Sequence, residues 1–289
     1  MGAHRYTLLD VFTAAPLEGN ALAVVHDADA LDEPTMLAVA RETRLSETTF
    51  VQRSHVAGAD YRNRIWTVER ELPFAGHPSL GTAVAMARAE HGSEGAPRAV
   101  RYVQQTEAGL QPIDVRLEGP QRAHASMLQE LAVHGAEVPR SQVMRAIGLT
   151  PEHADRVLPP QLVATGLTQL IVPLRDLDAL ARARPDWAAV EQLLAAHGAT
   201  VLYAAVCDPA AAHARTRGLV SAAVGEDPGT GSAAGPLCAY LAARAGCPAV
   251  TIEQGIEMGR PSRLEAAMEG DRPRVGGDVV VVGDGTLHV

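Results

Sequence analysis

The feature that most limits how this chain can fold is a repeat at half its length. Glu71-Leu72-Pro73-Phe74-Ala75-Gly76-His77 and Glu226-Asp227-Pro228-Gly229-Thr230-Gly231-Ser232 match Glu to Glu, Pro to Pro and Gly to Gly at a constant spacing of 155 residues. Each segment then enters a run of small, helix-forming residues, Leu80 to Ala89 in the first case and Ala233 to Leu241 in the second. So long a period in a chain of 289 residues points to two similar domains and not to a solenoid, whose repeats run to about 20–50 residues. Each domain would contribute one glycine turn and one helix N-terminus, and the cleft between halves is the natural seat for a ligand. A break near Gly119-Pro120 gives expected domains 1–118 and 119–289, with the last strand able to pack back on the first.

The coarse pattern is mixed α and β. Tyr6 to Phe12 reads as a strand, Glu18-Gly19-Asn20 as a turn, and Ala21 to Val25 as a second strand. Asp32 and Arg44 bound a helix with Pro34 in its first turn. Thr48 to Val51 and Tyr61 to Trp66 suit a hairpin. A loop is expected from Gly92 to Pro97, and strands at Ala99 to Val103 and Ile113 to Leu117. Further on, helices are expected at Ser141 to Ile147 and Trp187 to His197, with strands at Leu162 to Ala164, Gln169 to Val172 and Val201 to Ala205.

Composition removes several classes of chemistry. All 25 cationic residues are Arg, so Schiff-base catalysis and a Walker-type phosphate loop, which need a Lys amine, are excluded. A net charge of -9 provides no basic stripe for nucleic acid. Cys207, Cys238 and Cys247 form no CxxC pair and there is no HExxH, so no metal site is expected. The segment from Met1 to Tyr6 has no apolar signal core, and no apolar run reaches the roughly 20 residues of a membrane span. A cytoplasmic protein with reduced thiols is the expectation.

A glycine turn entering a helix leaves backbone N–H groups beside the positive end of the helix dipole, where anions bind. Two such ends could hold a small anionic substrate and stabilise charge developing on carbon without a cofactor. A positioned base would complete the chemistry. The candidates are Glu47, in Leu45-Ser46-Glu47-Thr48-Thr49-Phe50, together with His77 and Asp227. Each has a structural alternative: Glu47 as an exposed acid at a strand start, His77 and Ser232 as helix caps, Asp227-Pro228 as a helix-start pair. Gly229, Gly231 and Gly235 are spaced as GxGxxxG with Glu253 further on, one residue longer than a dinucleotide fingerprint. Too little chain follows to complete such a fold, and Asp227 would repel a pyrophosphate.

Together these segments, with Leu9-Asp10-Val11-Phe12-Thr13, Gly19-Asn20 and Arg274-Val275-Gly276-Gly277, resemble the phenazine-biosynthesis isomerase (PhzF-like) family over essentially the whole chain. The resemblance implies an α+β fold of diaminopimelate-epimerase type: two pseudo-symmetric domains, each a sheet wrapped around a central helix, with the active site in the cleft. It implies proton transfer on a small cyclic or conjugated carboxylate, as in trans-2,3-dihydro-3-hydroxyanthranilate isomerisation, with Glu47 as general acid/base. His77, Asp227 and Ser232 are its implied catalytic companions. Gly76, Pro78, Gly229, Thr230, Gly231 and Asn20 are implied to surround the substrate. No cofactor is implied, and relatives suggest a homodimer. Burial would suit Glu47 by raising its pKa, since it must both take and release a proton. The fold also houses cysteine racemases, but the corresponding turns here hold Ala75 and Pro228. An epimerase without the two thiols, or a catalytically silent binding relative, are the alternatives. One departure is Val68, where the family often has Pro after Thr67.

Overall fold

The apolar alternation of the opening segment places β1 (Ala3–Val11) against β2 (Asn20–Val25), antiparallel with Val11 opposite Asn20. The reversal uses Gly19 at φ 65°, where a side chain would also strike Thr13. In α1 (Glu33–Thr43), Asp32 caps the N-terminus by accepting from the Thr35 N–H at 3.0 Å, and Arg44 ends the helix in the left-handed region. This helix carries the chain to β3 (Glu47–Gln52), parallel to β2, as a helical crossover requires. The expected hairpin forms between β3 and β4 (Tyr61–Trp66), and β5 (Glu71–Leu72) folds back on β4. The first glycine turn then opens α2 (Gly76–His91), which starts earlier than expected. Gly76-His77-Pro78 form its first turn, where a proline forgoes only an N–H that has no intrahelical acceptor. A parallel strand follows, β6 (Arg98–Thr106), and then antiparallel β7 (Gly109–Leu117) and β8 (Arg122–Leu128).

The computed structural model describes residues 2–92 and 97–289; the centre of the loop expected at Gly92 to Pro97, residues 93–96, lies outside the described residues. The Gly119-Pro120 break occupies the β7–β8 turn. Compact units divide instead between Met127 and Leu128: the first comprises the chain up to Met127 with Gly276–Val289, the second Leu128–Val275.

The second unit begins with β9 (Val133–Glu137), α3 (Arg140–Ala146), β10 (Gln161–Ala164) and β11 (Thr168–Pro173). Two short helices, α4 (Leu177–Arg182) and α5 (Trp187–His197), cross over to β12 (Leu202–Asp208), parallel to β11. Then come β13 (His213–Ser221), β14 (Gly225–Asp227), α6 (Gly231–Ala245), β15 (Ala249–Gln254) and β16 (Ser262–Glu269). Its couplings reproduce those of the first unit in order: antiparallel β10–β11, parallel β11–β12, antiparallel β12–β13 and β13–β14, parallel β13–β15, antiparallel β15–β16. The last strand, β17 (Arg272–His288), leaves this unit and pairs with β1 and β8. That pairing closes the first unit's sheet on itself.

In the first unit, α2 is buried from Gly76 to Ala85 and packs against β1, β2, β3, β4, β6 and β7. Gly81 makes the approach possible, because a Cβ there would lie 2.6 Å from Leu22 and 3.0 Å from Val11. A separate cluster of Val25, Met36, Val39, Ala40, Phe50 and Trp66 seats α1 on the outer face of the sheet. In the second unit α6 packs against β10, β11, β15 and β16, while α3, α4 and α5 share a core with Leu170, Val172 and Leu202.

Candidate active site

The glutamate repeated at the head of each turn has a structural task. In the first unit the Arg64 Nε donates to Glu71 Oε1 at 2.7 Å and its Nη2 to Glu71 Oε2, with a second Nη2 contact to Glu33 at 3.0 Å. The guanidinium also lies 5.6 Å from the Trp66 ring centre. In the second unit Arg217 makes the same fork, Nε to Glu226 Oε2 at 3.0 Å and Nη2 to Oε1. Each fork ties the turn to the strand before it. The sequence repeat shows only the glutamates, because Trp66 faces Glu71 across one hairpin and Leu219 faces Glu226 across a longer one. The extra loop residues put the two arginines out of step with the spacing of 155.

The parallel register of β2 and β3 sets Glu47 at the start of its strand opposite Leu22, two residues from Asn20. Glu47 is only 16% exposed, and its Oε2 lies 3.4 Å from His77 Nε2. The exposed-acid reading is thereby set aside. His77 sits inside the first turn of α2, not at its cap, and burial alone pushes its pKa down to about 3. It is therefore neutral at physiological pH. The Asn20 amide nitrogen donates to His77 Nδ1 at 3.1 Å. A neutral ring that accepts at Nδ1 carries its proton on Nε2, the nitrogen 3.4 Å from Glu47 Oε2, although no hydrogen bond is formed between these two atoms. Gly76 and Pro78 are buried beside it in the same turn, and Ser79 Oγ donates to the Ala75 carbonyl at 2.7 Å.

In the second unit Asp227 does not cap α6; Thr230 occupies that position, and no side chain caps the helix. Instead Thr230 Oγ1 donates to Asp227 Oδ2 at 2.6 Å. The fully buried Gln254 stands behind both, with Nε2 donating to the Asp227 carbonyl at 2.6 Å and to Thr230 Oγ1 at 2.8 Å. Gln129 Nε2 donates to the Gly231 carbonyl at 2.9 Å and so fixes the glycine turn. Ser232, half-buried, follows in the first turn of α6. The structure thus brings Asn20, Glu47, His77, Gly76 and Pro78 together in one unit, and Asp227, Gly229, Thr230, Gly231 and Ser232 in the other.

Gly235, the last glycine of the GxGxxxG pattern, lies inside α6 where any Cβ would run into Gln129 Oε1. Its reason is close packing. Burial pushes the Cys207 and Cys238 thiols up to about 12, away from the thiolate that nucleophilic or acid/base cysteines need. Among the described residues no group of three or more His, Cys, Asp or Glu side chains is placed to hold a metal ion, and no helix is long and apolar enough to cross a membrane.

The family model described as phenazine biosynthesis-like protein matches residues 9–287. The chain belongs to that family. Two curated members named trans-2,3-dihydro-3-hydroxyanthranilate isomerase are similar along their whole length. One from Pseudomonas aeruginosa is 37% identical, covering 98% of this chain and 96% of its own, and one from Pseudomonas fluorescens is 35% identical, covering 98% and 99%. A solved phenazine biosynthesis protein of the PhzF family from Bacillus anthracis superposes with a TM-score of 0.86 at 26% identity over the full length of both chains. Membership makes this chain a PhzF-like isomerase with a mixed, sheet-rich α+β fold.

The residues that the sequence did not single out are the ones that hold others in place. Arg64, Arg217, Gln129 and Gln254 belong to no motif. Arg64, Arg217 and Gln254 lie on β4, β13 and β15 and Gln129 one residue past β8, and nothing in the local sequence distinguishes them.

Proposed function

We propose that this chain is a cofactor-independent isomerase that moves a proton on a small cyclic carboxylate of the trans-2,3-dihydro-3-hydroxyanthranilate class, with Glu47 as general acid/base. The observation that carries the reading is the Glu47–His77–Asn20 arrangement: a largely buried carboxylate beside the N–H of a neutral imidazole whose tautomer is fixed from behind. Such an N–H steadies one carboxylate oxygen and leaves the other to work. Glu47 takes the proton from the carbon that bears the hydroxyl, the electron pair moves through the conjugated system, and Glu47 returns a proton to the far carbon; the enol so formed becomes a ketone when its hydroxyl gives up its proton and the adjacent carbon takes one. No electron acceptor is required, because the product has the substrate's atoms and oxidation level. Contacts of 3.4 Å are long for a hydrogen bond and tighten in many enzymes only once substrate is bound.

In this reading the first N–H groups of α2, at Gly76, and the backbone of Gly229 and Gly231 in the second turn, whose Thr230 N–H is already given to Gln254 Oε1, receive the substrate carboxylate and the charge that develops on it. Asp227 and Ser232 are companions of Glu47, and Pro78 and Asn20 line the pocket. The two units, with the same order of strand couplings and the same Arg–Glu fork, are read as pseudo-symmetric copies of one ancestral domain of diaminopimelate-epimerase type. A homodimer is the assembly that the family resemblance implies, and sedimentation equilibrium tests it.

The deciding experiment incubates the protein with trans-2,3-dihydro-3-hydroxyanthranilate in deuterated water and follows both product and deuterium at the accepting carbon. Turnover that is lost in Glu47→Gln supports the reading. Turnover undiminished in that variant removes Glu47 from the mechanism, and α-deuteration of a chiral amino acid with racemisation would favour an epimerase instead.

A further inference from the structure

Gln254 ends β15 with no accessible surface, in a strand whose other end is solvent-facing. Its amide is fully used. Oε1 accepts from the Tyr203 hydroxyl at 2.8 Å and from the Thr230 N–H at 3.1 Å, while Nε2 donates to the Asp227 carbonyl and to Thr230 Oγ1. Two donors on one side and a carbonyl on the other leave the amide one orientation. The consequence passes to Thr230. Its hydroxyl oxygen accepts from Gln254, so its single proton is left for the Asp227 carboxylate, at 2.6 Å. Tyr203 is held in turn by Thr216, whose hydroxyl donates to it at 3.0 Å.

The backbone keeps this space for the amide and hydroxyl alone. Gly218, which pairs with Asp227 across the hairpin, has no room for a Cβ: it would lie 2.6 Å from Thr230 Oγ1 and 2.9 Å from Gln254 Nε2. The first unit has a counterpart on the strand that follows its own central helix. Gln104 of β6, also without accessible surface, donates from Nε2 to Ser79 Oγ at 2.7 Å, and Ser79 donates on to the Ala75 carbonyl at the head of the first turn. Each unit therefore uses a buried glutamine to hold its glycine turn through one hydroxyl. Only in the second unit does the hydroxyl end on a carboxylate.

We propose that Gln254 is a positioning residue for the isomerase reaction, acting through Thr230 to orient the Asp227 carboxylate and keep it in its acceptor form. This rests on Asp227 belonging to the site, as in the function proposed above. Gln254 touches no substrate; its effect is transmitted by a hydroxyl whose donor direction it dictates. A hydrogen bond to the charged form of a carboxylate favours that form, so loss of the Thr230 proton raises the pH at which Asp227 ionises. The buried Tyr203 feels the charge of Asp227, and Glu226, the preceding residue of β14, is committed to Arg217.

The test compares wild type, Gln254→Met, Thr230→Val and Thr230→Ser. Carbon-13 NMR titration of the Asp227 carboxyl, assigned with Asp227→Asn, is read beside kcat and KM for trans-2,3-dihydro-3-hydroxyanthranilate. The expected result is an upward shift of the Asp227 titration by about one pH unit in Gln254→Met and Thr230→Val, with the wild-type value kept in Thr230→Ser. In the same two variants kcat falls by about tenfold or more with a smaller change in KM. An Asp227 titration unmoved in both variants overturns the proposal, as does a shifted titration with unchanged kcat. If Gln254→Met fails to fold, Thr230→Val and Thr230→Ser decide the same link. Wild type that does not turn over this compound counts against the substrate reading, while the titration still decides whether Gln254 controls Asp227.

Discussion

Asn20 donates a 3.1 Å hydrogen bond to His77 Nδ1, and this one bond decides which nitrogen of a buried, neutral imidazole carries the proton. The ring is thereby committed to presenting Nε2–H on its other side. Removing the donor should free the tautomer. In Asn20→Leu, long-range nitrogen-15 spectra of the histidine ring are expected to show Nδ1–H gaining population, and kcat is expected to fall by about tenfold or more. An unchanged tautomer in that variant would mean that something other than Asn20 sets it.

Glu47→Gln keeps size and shape but cannot take a proton. Loss of at least about 100-fold in turnover and in solvent-deuterium incorporation is expected, with a thermal midpoint close to wild type. Retention of exchange would assign the proton transfer to another group.

Stability should fall on acidification earlier than carboxylate protonation explains. His77 and His26 have folded pKa values pushed down to about 3 and about 4, in both cases mainly by burial. The unfolded chain takes up both protons near pH 6.5. Stability from these groups is complete above that value and is lost as pH falls, at up to ~1.4 kcal/mol per pH unit for each ring. The decline from both runs down to about pH 4, and from His77 alone to about pH 3. Urea midpoints measured at pH 7, 6 and 5 should drop steadily, and His26→Asn should flatten part of the slope.

The Arg–Glu forks can be tested by a double-mutant cycle. Arg217 is 7% and Glu226 17% exposed at the side chain, so Arg217→Leu strands a buried carboxylate and is expected to cost about 3–5 kcal/mol. The Arg217→Leu, Glu226→Leu double variant should recover much of that loss. The same cycle on Arg64 and Glu71 should behave alike; urea denaturation reads both.

Gly81→Ala is expected to destabilise by about 1–3 kcal/mol, because the new methyl meets Leu22 at 2.6 Å. Alanine's better helix propensity offsets only about 1 kcal/mol of this. A raised thermal midpoint would show that β2 can yield.

Much of the arrangement was legible from residue types alone. Local signals placed α1 to the residue, through Asp32, Pro34 and Arg44, and the β3–β4 hairpin through its β-branched and aromatic content. The glycine turns exposed the candidate acids because glycine and proline at fixed spacing have few alternative explanations. What escaped was non-local. The strands of the last 80 or so residues carry many polar and glycine positions, as in Arg274-Val275-Gly276-Gly277-Asp278, and reveal themselves only through their partners. The break at Gly119-Pro120 looked like a boundary because a tight turn and a linker share composition. Gln254 and Gln129 gave no sign, since an amide buried among hydroxyls reads in sequence like any exposed glutamine.

One consequence of β17 concerns the order in which the molecule is made. Leu128–Val275 is a continuous stretch and is whole once its own residues are synthesised. The amino-terminal half is not: β1, paired with β2 on one side, lacks its other neighbour until Val279–His288 emerge from the ribosome. The half translated first is therefore the half finished last, and during that wait its unzipped margin is the surface that chaperones must shield and that aggregation would exploit.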